Sequence, residues 1–320
     1  MLRAVFIGGL LTAACVGAGL RWADVQESAY AAQDPAEFTL RMPADEVSLS
    51  FHAADSHGLP VNDLKQEELT LLDNGKPPRS ILAFYSLENH LIHAGILIDT
   101  SESMAPSLAA GKTVALKYVQ GLFHQQKDQA FVTAFGYSRE KLQLWSGESS
   151  ALAAGIRKVV AGKQNPPAGT ALFDAVYSAC LYDFGRADSD ASGNFILLFT
   201  DGEDNAGQAS IDEVEQVCQH SNTSVYAFRP SIGAGSLSTG PRKLNELAEQ
   251  TGGRVFRLDD SDDAINSDLA LIESDLRNQY RLVYKPAEWK HDGSFHRIAL
   301  HAPDRVRSVV IRSGYYAPVR

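Results

Sequence analysis

The sequence predicts an α/β fold, a doubly wound and mostly parallel sheet, with small antiparallel β segments on both sides of it. Residues 91–99 (LIHAGILID) and 194–200 (NFILLFT) are apolar at almost every position, which is typical of strands buried on both faces. Segments with helical spacing separate these strands from their neighbours, and this alternation indicates parallel β-α-β units. The chain of 320 residues is long enough for about two domains.

Each element of this central region follows from its own pattern. Apolar residues at helical spacing predict helices at residues 107–123, 151–160, 170–184, 210–220, 241–250 and 261–279. Short apolar runs predict further strands at residues 129–135, 223–228 and 253–258. Ser210 and Glu213 have the spacing of a capping box, which predicts the start of the helix that follows.

Both ends of the chain have the pattern of β strands. Residues 38–88 predict an N-terminal β segment, in which Asp73-Asn74-Gly75 separates two apolar runs. Asn-Gly is a strong signal for a hairpin turn, and the prolines at 77 and 78 favour an edge position for the strand after it. Residues 278–320 return to strand character and predict a C-terminal β segment.

The N-terminus has the pattern of an export signal. Residues 4–20 are apolar or small, and Ala29 and Ala31 have the A-x-A pattern of a signal-peptidase site, so residues 1–31 are predicted to be a signal peptide. A retained membrane anchor is one alternative, since about 20 apolar residues span a bilayer. Lipid attachment at Cys15 is another. In each case we expect an exported protein, periplasmic or secreted, with a membrane-anchored form as the alternative.

Charge and cysteine content exclude several classes of protein. The 39 acidic and 29 basic side chains give a formal net charge of −10, which argues against nucleic-acid binding. Three cysteines are too few for a disulfide-rich scaffold. Cys180 and Cys218 lie in helical stretches, where we expect buried thiols, although an oxidising compartment would permit a disulfide between them.

Polar side chains lie where a parallel sheet binds its ligands. Asp99, Ser101 and Ser103 follow the first buried strand, Asp201 follows the second, and Thr170 stands at the head of a helix. Loops at the carboxyl ends of neighbouring strands converge, so we expect these five side chains to meet. Their donors are all oxygen atoms, which suit a hard cation such as Mg²⁺ or Ca²⁺. Mg²⁺ keeps waters in such a site, and a carboxylate from another molecule can replace one of them.

Taken singly, each of these motifs has an ordinary interpretation. The polar segment at residues 99–103 is also typical of a helix cap, Thr170 of a helix start, and Asp201-Gly202 of a turn. Their joint occurrence at two strand ends and one helix favours the metal site. Gly111-Lys112-Thr113 is similar to the end of a phosphate-binding loop, but Pro106 stands where its first glycine is required.

This arrangement resembles the von Willebrand factor A domain and its metal-ion-dependent adhesion site. The D-x-S-x-S motif of the family corresponds to Asp99, Ser101 and Ser103, its threonine to Thr170, and its later aspartate to Asp201. The resemblance covers residues 90–275 and implies a Rossmann-like domain that binds Mg²⁺, with Mn²⁺ or Ca²⁺ as alternatives. Residue 102, where glycine is common in the family, is a glutamate here.

The resemblance implies binding and not catalysis. Exported bacterial A-domain proteins with small flanking β segments look similar, so we expect an adhesion or scaffolding module whose protein partner supplies a carboxylate to the metal. No nucleic acid is expected as a partner, and a membrane only if the N-terminal segment is retained. One alternative is a metal-assisted hydrolase with Glu102 or Glu203 as general base. Another is a metal-independent structural protein of the envelope. Asp204 is expected to be solvated.

Overall fold

The computed structural model describes residues 45–88, 90–121, 128–162, 169–185, 193–231 and 238–319. The predicted signal peptide, Cys15 and the first residues of the predicted N-terminal β segment, 38–44, lie outside the described residues. The described residues belong to a single compact unit. None of the helices among the described residues is both long enough and apolar enough to cross a bilayer.

The described residues form thirteen β strands. In chain order they are β1 (Val47–Ala54), β2 (Thr70–Asp73), β3 (Ser80–Leu87), β4 (His93–Asp99), β5 (Gln129–Phe135), β6 (Arg139–Ser146), β7 (Asn194–Phe199), β8 (Thr223–Arg229), β9 (Val255–Arg257), β10 (Gln279–Lys285), β11 (Phe295–His301), β12 (Ser308–Ile311) and β13 (Gly314–Tyr316).

The same residues contain six α-helices, close to the predicted positions. They are α1 (Leu108–Gly121), α2 (Ser149–Lys158), α3 (Leu172–Ser178), α4 (Ile211–His220), α5 (Gly240–Thr251) and α6 (Asp262–Arg277). The chain continues from α3 into a π-helical segment, Ala179–Phe184. The predicted capping box at the start of α4 is confirmed, because the Glu213 N–H donates to Ser210 Oγ and the Ser210 N–H donates to the Glu213 carboxylate.

The central sheet confirms the predicted mostly parallel α/β fold. Its strand order is β6-β5-β4-β7-β8-β9, and only β6 pairs antiparallel to its neighbour. β6 is a strand that the sequence pattern did not predict. This strand opens with Arg139, Glu140 and Lys141 and is never continuously apolar, so it lacks the pattern that revealed the buried strands.

Helices cover both faces of this sheet. Successive side chains of a strand point to opposite faces, so neighbouring residues of β4 pack in different core clusters. Ile96 and Ile98 pack in a core cluster with residues of α1, α2 and α6. Leu97 lies between them in sequence and packs in a second cluster with residues of α3, α4 and α5. All three strand residues are fully buried. The sheet is therefore doubly wound, as the sequence predicts.

The two ends of the chain build a pair of smaller sheets together. One has the order β12-β1-β10-β3 and the other β13-β11-β2, so each contains strands from both ends. Side chains from both sheets share one core cluster, including Phe51, Leu71, Tyr280 and Ile298. The predicted N-terminal and C-terminal β segments thus pair with each other, and α6 leads directly into β10.

The hairpin predicted around Asp73-Asn74-Gly75 is wrong, although its turn is present. Asn74 and Gly75 both have positive φ, 48° and 76°. β2 nevertheless pairs with β11, and β3 pairs with β10. Pro77 and Pro78 directly after the turn have no N–H to donate, which prevents the ladder from continuing.

The expectation of buried thiols at Cys180 and Cys218 is also wrong. The two residues form a disulfide, with their Cα atoms 5.0 Å apart and a sequence separation of 38. Cys180 belongs to the π-helical segment after α3 and Cys218 to α4, and both side chains are fully buried. The faces of two separately predicted helices meet here, which single-helix patterns do not reveal.

Candidate metal centre

The candidate site begins where two neighbouring parallel strands end. β4 and β7 lie side by side in the centre of the sheet, with Ile98 paired to Phe199. Asp99 is the last residue of β4, and Asp201 follows β7 by two residues. The topology therefore places both carboxylate-bearing loops at the same edge of the sheet.

Asp99 organises the first loop. Its side chain is fully buried, and Oδ1 accepts a hydrogen bond of 2.8 Å from the Ser101 N–H. This bond turns the chain sharply after the strand. The Ser101 and Ser103 hydroxyls consequently lie on the same side, 3.2 Å apart. Three of the predicted ligand residues are thus close together within one turn.

A buried threonine links this loop to the loop that carries Asp201. Thr200 Oγ1 donates to Asp99 Oδ2 at 2.7 Å and accepts from the Gly202 N–H at 3.1 Å. Both oxygens of Asp99 therefore accept hydrogen bonds. A carboxylate has about four lone-pair positions, so each oxygen can still face an ion or its water.

Gly202 lets the Asp201 loop pass close to α5. Its φ is +89°, and a Cβ at this position would lie 2.6 Å from the carbonyl oxygen of Gly240. The close approach brings the Gly240 N–H to 3.4 Å from Glu203 Oε1, which also accepts from the Ser238 hydroxyl. Asp201 itself accepts from the Glu203 N–H at 3.0 Å through Oδ1.

The same loop holds Thr170 in place. The Thr170 N–H donates to Asn205 Oδ1 at 2.8 Å, and the Thr170 carbonyl accepts from the N–H groups of Asn205 and Ala206, both at 3.0 Å. Gly169 has φ +137°, and a Cβ there would lie 2.8 Å from the Ala206 Cβ. The glycine before Thr170 is therefore required for this close packing.

Asp204 has a structural role that the sequence analysis did not expect. Its Oδ1 accepts from the Leu172 N–H at 3.0 Å and from the Gly207 N–H at 3.2 Å. It is half-buried, and burial raises its pKa. The carboxylate thus satisfies a free N–H group at the start of α3 and is not simply solvated.

The end of β5 joins the Asp99 loop to the Thr170 loop. The N–H and the hydroxyl of Thr100 both donate to the Phe135 carbonyl, at 2.7 and 2.9 Å. The next residue, Gly136, accepts from the Ala171 N–H at 2.9 Å through its carbonyl. All three loops that carry predicted ligands are therefore connected at one edge of the sheet.

The electrostatics of the site suit a cation. Burial raises the pKa of Asp99 to about 6, and the nearby charge of Asp201 acts in the same direction, while hydrogen bonds from Ser101 and Thr200 oppose the shift. A bound divalent ion would stabilise both carboxylates in their ionised form.

The donor set also suits a hard cation. No group of three or more His, Cys, Asp or Glu side chains within the described ranges is arranged to hold a metal ion. The predicted ligands at this edge are two carboxylates and three hydroxyl groups, which are oxygen donors of the kind that such an ion prefers. The residues that would hold it are those predicted: Asp99, Ser101, Ser103, Thr170 and Asp201.

Thr200 and Asn205 support the candidate site although the sequence pattern did not mark them. Thr200 was counted only as the end of an apolar strand, and Asn205 only as part of a polar loop. Their hydroxyl and amide groups connect the loops that carry Asp99, Asp201 and Thr170. The one available signal was their position in the segment TDGEDN, which also contains Asp201.

Solved structures with a similar fold include three of different origin. An aerotolerance-related membrane protein from Bacteroides fragilis is 18% identical with a TM-score of 0.45, covering 57% of this chain and 98% of its own. A von Willebrand factor type A structure from Catenulispora acidiphila is 13% identical with a TM-score of 0.45, and the match covers 86% of this chain and 73% of that structure. Proximal thread matrix protein 1 from the mussel byssus, with a zinc-occupied MIDAS motif, is 16% identical with a TM-score of 0.48. That match covers 64% of this chain and 50% of the mussel protein.

The family comparison is more specific than these structural similarities. No curated protein sequence matches the chain significantly. The model of the von Willebrand factor type A domain matches residues 95–269, which is more than half of the chain and contains all five predicted ligand residues. The chain therefore belongs to the von Willebrand factor type A domain family.

Proposed function

We propose that this protein is an exported binding module that holds a protein partner through a divalent ion. Domains of this family commonly mediate metal-dependent protein interactions. Asp99, Ser101, Ser103, Thr170 and Asp201 bind the ion, with Mg²⁺ as the expected metal. Because three of the five donors are neutral hydroxyls, the ion keeps waters, and a carboxylate of the partner replaces one of them.

The observation that most supports this proposal is the buried connection between the two aspartate loops. The hydrogen bond from Thr200 to Asp99 fixes one carboxylate, and Thr200 also binds the backbone of the loop that carries the other. Ligands held by such surrounding hydrogen bonds are pre-organised, which reduces the free-energy cost of binding an ion. A set of unrelated polar turns would not need these connections.

The disulfide supports the proposal of export. Disulfides persist in oxidising compartments outside the cytoplasm. Cys180 and Cys218 form such a bond. It agrees with the signal peptide predicted for residues 1–31 and with a periplasmic or secreted location.

Binding without turnover is the version of this function that we propose. A hydrolase would need a general base beside the metal-bound water. Of the two candidates, Glu203 already accepts hydrogen bonds from Ser238 and Gly240 through Oε1. Glu102 is exposed to solvent, and no hydrogen bond within the described residues holds its carboxylate in place as a general base would require.

A pull-down from the exported fraction tests this proposal. The immobilised protein should capture its partner in Mg²⁺ and lose it in EDTA, because the metal forms part of the contact. Asp201→Asn should abolish capture in Mg²⁺, since the amide removes a charged ligand. Asp204→Asn is the matched control and should retain capture, because its amide oxygen can still accept from the Leu172 N–H. Equal capture in Mg²⁺ and EDTA would contradict the proposal.

A further inference from the structure

One edge of the four-stranded sheet is long and open. β3 is the last strand in the order β12-β1-β10-β3 and pairs with β10 on one side. Among the described residues, no strand pairs with its other side. An open strand edge presents unpaired N–H and C=O groups, which can bind another strand.

The side chains of β3 do nothing to prevent such pairing. The strand reads SILAFYSL, eight residues without a charge or a proline. Leu82 and Tyr85 are exposed by 45% and 47%. Natural edge strands are usually protected by charges, prolines, bulges or short length, and an unprotected apolar edge indicates an interaction site.

The other strand edges in the described part of the chain are protected. β2, β9, β12 and β13 have only three or four residues each. β6 has eight residues, but it opens with three charged side chains and its pairing with β5 is interrupted at two places. β3 thus differs from the four short edges in length and from β6 in carrying no charged side chain.

A bulge restricts the regular part of the β3 edge to one short stretch. The pairing with β10 shifts register between Ile81 and Ala83, which leaves Leu82 as the extra residue. Residues 83–87 remain regular, and Tyr85 is at their centre. This stretch is still longer than any of the four short edges.

We propose that β3 is a dimerisation edge, at which residues 83–87 pair antiparallel with the same residues of a second copy of this chain. Two-fold symmetry places Tyr85 of each copy opposite Tyr85 of the other, and such self-complementary contacts are typical of homodimers. Two uncharged strands meet without repulsion, and exposed aromatic side chains pair favourably across strands.

The charges that flank β3 favour a second copy over an unrelated partner. Arg79 directly precedes the strand and Glu88 directly follows it, and both are exposed. Antiparallel pairing places the Arg79 end of one copy beside the Glu88 end of the other. The same complementarity occurs at both ends of the interface because the arrangement is symmetric.

Sedimentation of the purified full chain over a concentration series tests the proposal. The wild-type protein should form a concentration-dependent dimer. Tyr85→Lys should weaken it by roughly tenfold or more, because two like charges then face each other at the centre. Tyr182→Lys and Leu144→Lys are matched controls, since both residues are exposed outside β3, by 54% and 69%, and should leave the dimer unchanged.

A charge exchange tests the antiparallel arrangement without touching the strand. Arg79→Glu alone and Glu88→Arg alone should each weaken the dimer, because like charges then meet. The double variant Arg79→Glu/Glu88→Arg should restore it. A dimer that responds neither to Tyr85→Lys nor to these exchanges would overturn the proposal, as would a protein that stays monomeric at all concentrations. A monomer that dimerises only after deletion of residues 38–42 would also overturn it, since that segment would then be the occupant of the edge.

Discussion

Thr200 is the residue that couples the two aspartate loops of the candidate metal site. Its hydroxyl donates to Asp99 Oδ2 and accepts from the Gly202 N–H, and the residue is fully buried. Hydrogen bonds that orient metal ligands typically change metal affinity by about 10- to 100-fold when they are removed. Thr200 is therefore expected to affect the metal although it is not one of the predicted ligands.

We predict that Thr200→Val weakens divalent-ion binding by about 10- to 100-fold. It should also lower the free energy of unfolding by about 1–3 kcal/mol, because Asp99 and Gly202 lose a buried partner. Thr133→Val is the matched control. Thr133 is a buried strand threonine whose hydroxyl has no hydrogen-bond partner among the described residues, so its replacement should leave metal affinity unchanged and should not lower the free energy of unfolding. Calorimetric titration and chemical denaturation measure the two effects, and equal metal affinity in both variants would contradict this role.

At the scale of single residues, the sequence predicts contacts within one turn but not hydrogen bonds between distant segments. Asp99, Ser101 and Ser103 are visible in the sequence because they alternate within a single turn. The hydrogen bond from Thr200 to Asp99 spans 101 residues, and the one from Thr170 to Asn205 spans 35. No local pattern marks either of these pairs.

The disulfide is the main covalent link between elements of the α/β region. It joins the π-helical segment after α3 to α4, and the start of α3 follows Thr170. A cross-link that closes a loop of this length reduces the conformational entropy of the unfolded chain. The disulfide thus stabilises the helices that surround one side of the candidate site.

We predict that the double variant Cys180→Ala/Cys218→Ala loses about 3–4 kcal/mol of stability in chemical denaturation, as the loop-entropy relation suggests for 38 residues. A reducing agent should destabilise the wild-type protein by a similar amount. It should have no effect on the double variant, which serves as the control. Equal stability of the wild-type protein with and without reductant would contradict the structural role of this bond.

Elements with a strong local pattern were predicted well, whereas their pairing was not. The helices appear close to their expected positions because apolar spacing is a local property. The hairpin prediction was wrong because the turn at Asn74-Gly75 determines only the direction of the chain. Pro77 and Pro78 then interrupt the hydrogen bonding between the two strands. β6 was not predicted because its first three residues are charged and therefore lack the apolar pattern of a buried strand.

At the scale of the whole molecule, Glu215 connects the α/β region to the smaller sheets. It lies on α4 with 3% of its surface exposed, and the Tyr316 hydroxyl of β13 donates to its Oε2 at 3.4 Å. Burial raises the pKa of Glu215 to about 7, and the negative charges of Glu246 and Asp212 add to the shift. The hydrogen bond from Tyr316 opposes this shift, so burial and the neighbouring charges are what make the folded protein more stable with Glu215 protonated.

We predict that this residue makes stability depend on pH. A carboxyl with a higher pKa in the folded than in the unfolded chain favours folding when protonated, so its contribution is lost as the pH rises from about 4.5 to about 7. Over that pH range the free energy of unfolding of the wild-type protein should fall by on the order of 2–3 kcal/mol relative to that of Glu215→Gln, since one pKa unit corresponds to about 1.4 kcal/mol. The exposed Glu249→Gln is the control and should follow the wild-type profile. Parallel profiles for wild type and Glu215→Gln would contradict the assignment.

The joint sheets at the two chain ends are also a property of the whole molecule. β1 pairs with β10 and β12, so strands from opposite ends of the sequence become neighbours. Strand patterns predicted each end separately, because pairing between residues more than 200 positions apart leaves no local mark. The central α/β sheet was more predictable, since its strands and helices alternate along the chain.

The central claim is that Asp99, Ser101, Ser103, Thr170 and Asp201 bind one divalent ion. Calorimetric titration of the metal-free protein with Mg²⁺, and in parallel with Mn²⁺ and Ca²⁺, tests it most directly. We expect a single site per chain, which Asp201→Asn should remove and Asp204→Asn should retain. Circular dichroism should show that both variants remain folded. Absence of binding by the wild-type protein, or equal binding by Asp201→Asn, would contradict the claim.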